Sequence, residues 1–124
     1  MKFIDFLKES EVSLSTTLDT IGKNKIELAV KKLMNDNGLR YIESFVTQIN
    51  QNEVIGNVAY KLLSYTEKYK ESTGDKSELR YIYLGEYKYN ISTNKIIEFK
   101  ESTERYSSIS EINTLMNNSE AAKL

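Results

Sequence analysis

The chain has no cysteine, histidine, tryptophan or proline. Without cysteine it has no thiol nucleophile, disulfide or thiolate metal site, and without histidine it has no imidazole for acid–base work or metal ligation. Most enzyme templates fall with those two residue types. The five glycines are isolated, so no phosphate-cradling loop can be read, and the four aspartates (Asp5, Asp19, Asp36, Asp75) show neither EF-hand nor paired-carboxylate spacing. Serines without a histidine partner lack the usual base. This reading implies no cofactor, no metal and no enzymatic activity.

Long apolar runs are also missing. No stretch approaches the roughly 20 residues of a membrane-crossing helix, and residues 1–7 are too few for a signal-peptide core. A cytoplasmic location with no membrane contact is the expectation. Charge of one sign is equally scarce: seven basic face seven acidic residues over 1–52, eight face seven over 53–100, and two face four over 101–124. No basic stripe of the kind that binds phosphates stands out.

The hydrophobic fraction of 40% and charged fraction of 28% are those of an ordinary globular protein, and 124 residues suit one domain. Residues 1–9 read as a short helix burying Phe3, Ile4 and Leu7. The Ser/Thr-rich stretch 13–17 supplies N-caps ahead of Leu18 and Ile21, Gly22 interrupts, and 23–34 resumes with Ile26, Ala29, Val30 and Leu33 at helical spacing. Asn35 to Gly38 ends that helix, because asparagine and glycine accept the left-handed conformation.

Leu39, Ile42, Phe45, Val46 and Ile49 then predict a helix over 39–50. Ile55, Val58, Leu62, Tyr65 and Tyr69 predict a longer one from Glu53 to about Lys70, capped by Asn52. Residues 71–78 read as a polar loop. Near the C-terminus, Ser108 and Glu111 have capping-box spacing before Ile109, Ile112, Leu115 and Met116 on a short helix. Residues 117–124 read as a frayed tail beyond a single domain of 1–116.

Period-two alternation is clearest over 79–99, where Tyr81, Tyr83, Tyr87, Tyr89 and Ile91 occupy odd positions and Gly85 fills the gap. A turn at residues 92–94 with Asn94 left-handed sets the register. Tyr87 then opposes Phe99, Tyr89 opposes Ile97 and Ile91 opposes Lys95, while Lys88 meets Glu98 and Glu86 meets Lys100 on the other face. A strand continuous through Gly85 keeps all four tyrosines on one side; a bulge there would divide them. The predicted fold is therefore α+β: four to five amphipathic helices, a small antiparallel sheet (a hairpin of 79–91 and 95–100) and a short C-terminal helix.

The tyrosine face admits two readings: the floor on which a helix layer packs, or a candidate protein interface of Tyr81, Tyr83, Tyr87, Tyr89 and Phe99 whose hydroxyls reach water. Lys61, Lys68, Lys70, Lys76 and Arg80 are the densest basic group and the candidate nucleic-acid contacts. Glu67, Glu71, Asp75 and Glu78 interleave with them, which disfavours nucleic acid. The leading expectation is a small non-enzymatic regulator that occupies a protein partner, as an inhibitor, immunity-like factor or adaptor. The Lys, Asn, Ile, Tyr and Glu usage suits the AT-rich coding of a low-GC bacterium or its phage or mobile element. The alternatives are a nucleic-acid-binding regulator and a structural homo-oligomer.

Overall fold

Residues 14–63 and 80–124 are described by the computed structural model. Helices α1 (Leu14–Ile21) and α2 (Lys23–Asp36) precede strands β1 (Leu39–Ile49) and β2 (Glu53–Leu62). Strands β3 (Ile82–Asn90), β4 (Lys95–Lys100) and β5 (Arg105–Tyr106) follow, then helix α3 (Ile109–Asn118) and strand β6 (Ala122–Lys123). The six strands form one antiparallel sheet in the order β4-β3-β2-β1-β6, with β5 also on β3. Among the described residues the fold is thus mostly sheet with three helices, which corrects the expectation of four to five helices over a small hairpin.

The correction lies in β1 and β2, both predicted helical. The apolar set of β1 serves two faces: Leu39, Val46 and Ile49 join the core under α1 and α2, while Phe45, with Ile42 beside it, joins the cluster under α3. Two register shifts, between Tyr41 and Glu43 and between Val46 and Gln48, each insert a residue. Bulges of this kind break the period of two and leave a spacing that imitates a helical stripe. In β2 the inward positions are Val54, Gly56, Val58, Tyr60 and Leu62, a strict alternation whose second member has no side chain to show it. Asn50 does not end a helix. Its side-chain oxygen accepts from the N–H groups of Asn52 (3.0 Å) and Glu53 (2.8 Å), closing the β1–β2 turn.

The sheet lies between two helical layers. Leu18 of α1 and Ile26, Val30 and Met34 of α2 cover one face, and Ile112 and Met116 of α3 cover part of the other. Gly22, at φ 110°, separates α1 from α2, and Gly38, at φ 68°, turns the chain from α2 into β1. Both are conformations that glycine adopts at little steric cost. The stop read at residues 35–38 and the helix before it agree with α2.

Two glycines in the sheet make room for tyrosines from neighbouring strands. Tyr87 of β3 stands opposite Gly56 of β2, passes over it, and donates its hydroxyl to the Phe45 carbonyl of β1 at 2.9 Å. A Cβ on Gly56 would meet that carbonyl oxygen and come within 2.6 Å of the Tyr87 hydroxyl. In the reverse direction, the Tyr60 ring of β2 lies beside Gly85 of β3, where a Cβ would approach it to 3.1 Å. The Tyr60 hydroxyl there binds Ser102, donating to its carbonyl at 3.3 Å and accepting from its N–H at 3.0 Å. Gly85 causes no register shift between β2 and β3, so the strand runs through it.

The β3–β4 hairpin pairs Tyr87 with Phe99, Lys88 with Glu98 and Glu86 with Lys100, as the sequence implies, and Asn94 is left-handed at φ 58°. Nearer the turn the expectation is corrected. Tyr89 opposes Ile96 and Asn90 opposes Lys95, so residues 91–94 form a four-residue loop. A register shift at Ile97 restores the downstream pairing and leaves that side chain 52% exposed. The longer loop is held by the Asn90 side chain, which accepts from Thr93 N–H at 2.9 Å, and by Asn94 Oδ1, which accepts from the Tyr89 hydroxyl at 2.8 Å.

Ser108 caps α3 through Glu111 N–H, and the Glu111 carboxylate returns to the N–H and hydroxyl of Ser107, one residue upstream of the capping-box position. The terminal residues read as fraying instead extend the sheet. Ala122 pairs with Val46, Leu124 N–H donates to Ser44 carbonyl at 2.9 Å, and Lys123 binds Glu43 at 2.7 Å.

Candidate functional site

The tyrosine face is occupied within the chain. Tyr83, Tyr87 and Tyr89 are buried beneath the helical layer, and Tyr81 and Phe99 are half-buried members of the same core. Tyrosine is tolerated there because the hydroxyls of Tyr87 and Tyr89 end on oxygens of the chain itself. Burial pushes both hydroxyls above the ordinary tyrosine pKa, so they remain neutral donors. Tyr81 carries the Arg105 guanidinium over its ring at 4.8 Å. The candidate nucleic-acid residues are divided: Lys61 is half-buried in β2 and Arg80 exposed ahead of β3, whereas Lys68, Lys70 and Lys76 lie outside the described residues.

The surface best shaped to receive another chain is a groove between α2 and β4. It has a volume of about 490 Å³, with Ala29, Leu33 and Ile96 as apolar lining and Lys32, Asp36, Asn94 and Lys95 at its margins. Lys32 and Asp36 bind each other at 3.1 Å, so that margin is internally neutral. The two elements that form the groove also carry exposed aliphatic side chains. Leu28, 65% exposed, precedes Ala29, and Ile97, 52% exposed, follows Ile96. Strand β4 is the last strand of the sheet on this side, and among the described residues nothing pairs with its outer edge.

These residues escaped the sequence reading for definite reasons. Leu28 lies among Glu27, Lys31 and Lys32, and an isolated leucine on the polar side of an amphipathic helix was the available signal. Alternation places Ile97 on the inner face, and only the register shift turns it outward.

The far face of the hairpin is polar. Glu98 lies between Lys88 (3.4 Å) and Lys100 (3.5 Å), and the hydrogen bond and charge of Lys88, followed by Lys100, hold its carboxyl below the usual glutamate range. Buried Ser44 shares a 2.8 Å hydrogen bond with Tyr41, whose hydroxyl burial pushes up. The Tyr41 hydroxyl is therefore a neutral partner of Ser44. Among the described residues no three acidic side chains gather to hold a metal ion, and no helix is long and apolar enough to cross a membrane.

Comparison with models of protein families, with curated proteins and with solved structures returned no match.

Proposed function

We propose that the protein is a small non-enzymatic regulator, working in the cytoplasm, that acts by occupying a protein partner. The partner contributes an extended segment that lies along β4 in the α2–β4 groove. The carrying observation is the coincidence of an open strand edge with an apolar groove, on elements that each also carry an exposed aliphatic side chain, Leu28 on α2 and Ile97 on β4. A strand edge offers backbone N–H and C=O groups that an extended segment can pair, and the adjoining groove receives its alternate side chains.

The same edge carries Lys95, Lys100 and an irregularity at Ile97, devices that oppose indiscriminate self-pairing. They favour a specific second protein over a homo-oligomer. Lys95, exposed and outside every ion pair among the described residues, suits a carboxylate on the partner. Such a regulator would serve as an inhibitor, immunity-like protein or adaptor, and the Lys, Asn, Ile, Tyr and Glu usage fits a low-GC bacterium, its phage or a mobile element as its source.

The test compares the wild-type chain with a Leu28→Asp/Ile97→Asp variant in affinity capture from the native host, with circular dichroism confirming that both fold. Wild type should retain one stoichiometric protein, the variant should lose it, and amides of β4 should exchange more slowly in the complex. Equal capture by the variant, or unchanged β4 exchange, would overturn the reading.

A further inference from the structure

Asn37 is the one asparagine of the chain that is followed by glycine. The backbone nitrogen of the residue after an asparagine can close a five-membered ring onto the asparagine's side-chain amide carbon. Glycine in that position brings no Cβ to hinder the approach. At every other asparagine of this chain the following residue carries one.

The fold sets the Asn37–Gly38 pair at the turn from α2 into β1, where both residues are exposed. Gly38 has φ 68°, and among the described residues nothing lies within 4 Å of where its Cβ would be, so solvent reaches the peptide bond. The cap that closes α2 nevertheless holds the reacting atoms apart. Asn37 has ψ 9°, which eclipses the Gly38 nitrogen with the backbone nitrogen of Asn37 and turns it away from the Asn37 side chain. The Gly38 N–H donates to the Asn35 carbonyl at 3.1 Å, and Asn37 Nδ2 donates to the Leu33 carbonyl at 2.8 Å. Ring closure requires the first nitrogen to lose its proton and the second to leave. Both are held until the last turn of α2 opens.

We propose that Asn37 is a self-modification site, converted to aspartate and isoaspartate when the C-terminal turn of α2 opens. Solvent base removes the Gly38 amide proton, the nitrogen bonds to Asn37 Cγ, and Nδ2 takes up a proton and departs as ammonia, leaving a succinimide. Water then adds to one of the two ring carbonyls. Cleavage at the side-chain carbonyl gives aspartate, and cleavage at the main-chain carbonyl gives isoaspartate, with the chain routed through Cβ. Both products undo the cap. A carboxylate cannot donate to the Leu33 carbonyl, and it adds negative charge beside Asp36 at the helix end where the dipole is already negative. Leu33 and Asp36 line the α2–β4 groove, so conversion loosens one wall of it. Its bearing on partner binding rests on the reading of that groove; the modification itself does not.

The experiment incubates the full chain at mildly alkaline pH, folded in buffer and unfolded in guanidinium chloride, and follows each asparagine by peptide mapping with mass spectrometry that separates aspartate from isoaspartate. In denaturant Asn37 should convert faster than every other asparagine. In buffer it should convert about 5- to 100-fold more slowly than in denaturant, the factor carried by the two hydrogen bonds broken on opening. Gly38→Ala, compared in denaturant where folding plays no part, should slow conversion several-fold. Equal rates in buffer and denaturant would overturn the gate, and a folded rate more than about a hundred-fold below the unfolded one would overturn modification of the native chain. Unaltered conversion in Gly38→Ala would overturn the assignment to this pair. In the converted fraction, separated by ion exchange, the amides of Met34, Asn35 and Asp36 should exchange faster than in the unmodified chain while those of β3 keep their rates. Unchanged exchange at those three amides would overturn the loosening of the groove wall.

Discussion

The Tyr87 hydroxyl reaches the Phe45 carbonyl, two strands away, at 2.9 Å by crossing the position where Gly56 has no side chain. Tyr87→Phe removes the donor and leaves a buried carbonyl short of a partner, at a cost of about 1–2 kcal/mol near neutral pH. The pH dependence has a definite sign. Burial raises the hydroxyl's pKa in the folded chain, while the unfolded chain ionises near pH 10. The associated stability is complete below about pH 10 and lost as pH rises beyond it. The stability gap between wild type and Tyr87→Phe should therefore narrow above about pH 10, as measured by urea unfolding across the alkaline range. A gap that stays constant would contradict the assignment.

Gly56 and Gly85 should differ in their tolerance of alanine. At Gly56 the added carbon meets the backbone oxygen of Phe45, which cannot move without disturbing β1. At Gly85 the nearest atoms, Lys100 carbonyl and Phe99 Cε1, both lie at 2.9 Å on the less constrained strand β4. Gly56→Ala should cost about 3 kcal/mol or more and Gly85→Ala about 1–3 kcal/mol, read from denaturant midpoints. The reverse order would show that the tyrosine crossing over Gly56 is the looser one.

The Lys88–Glu98 pair is solvent-exposed and should affect titration more than folding. In Lys88→Gln the Glu98 carboxyl should titrate at higher pH than in wild type, approaching the ordinary range, as followed by carboxyl NMR shifts. Lys100 should keep part of the depression, since it also contacts Glu98. Thermal melting should hardly change.

Ending the chain at Glu120 removes β6, the Ala122–Val46 pairing and the Leu124 bond to Ser44. The loss should be about 1–3 kcal/mol from the hydrogen bonds and buried apolar surface together. Faster amide exchange at Phe45 and Val46 than elsewhere in β1 would locate it.

The contrast between what could and could not be read from sequence follows from where periodicity survives. The β3 strand keeps its tyrosines at alternate positions on one core face, with charged residues between them from Glu86 onward and no register shift against β2, so its period of two is visible, with the Tyr87–Phe99 register. Helices α2 and α3 each present one apolar stripe to a single sheet face and were equally legible. In β1, apolar residues on both faces and two register shifts erase the alternation, and in β2 Gly56 hides it. The tyrosine hydroxyls gave no sign of pointing inward, because their acceptors Phe45 and Asn94 become neighbours only through strand pairing and loop closure. The candidate nucleic-acid residue Lys61 lies opposite Arg40 across β1 and β2, a pairing that depends on strand order and is not legible in the sequence.

The two tyrosine crossings run between hairpins in opposite senses. Tyr87 belongs to the β3–β4 hairpin and bonds to β1, while Tyr60 belongs to the β1–β2 hairpin and bonds to Ser102 beyond β4. Each hairpin thus supplies the hydroxyl donor for a carbonyl of the other, and neither can complete its own hydrogen bonding alone. The pair should unfold as one cooperative unit, with the most protected amides of β1 and β3 exchanging only through global opening and sharing one free energy.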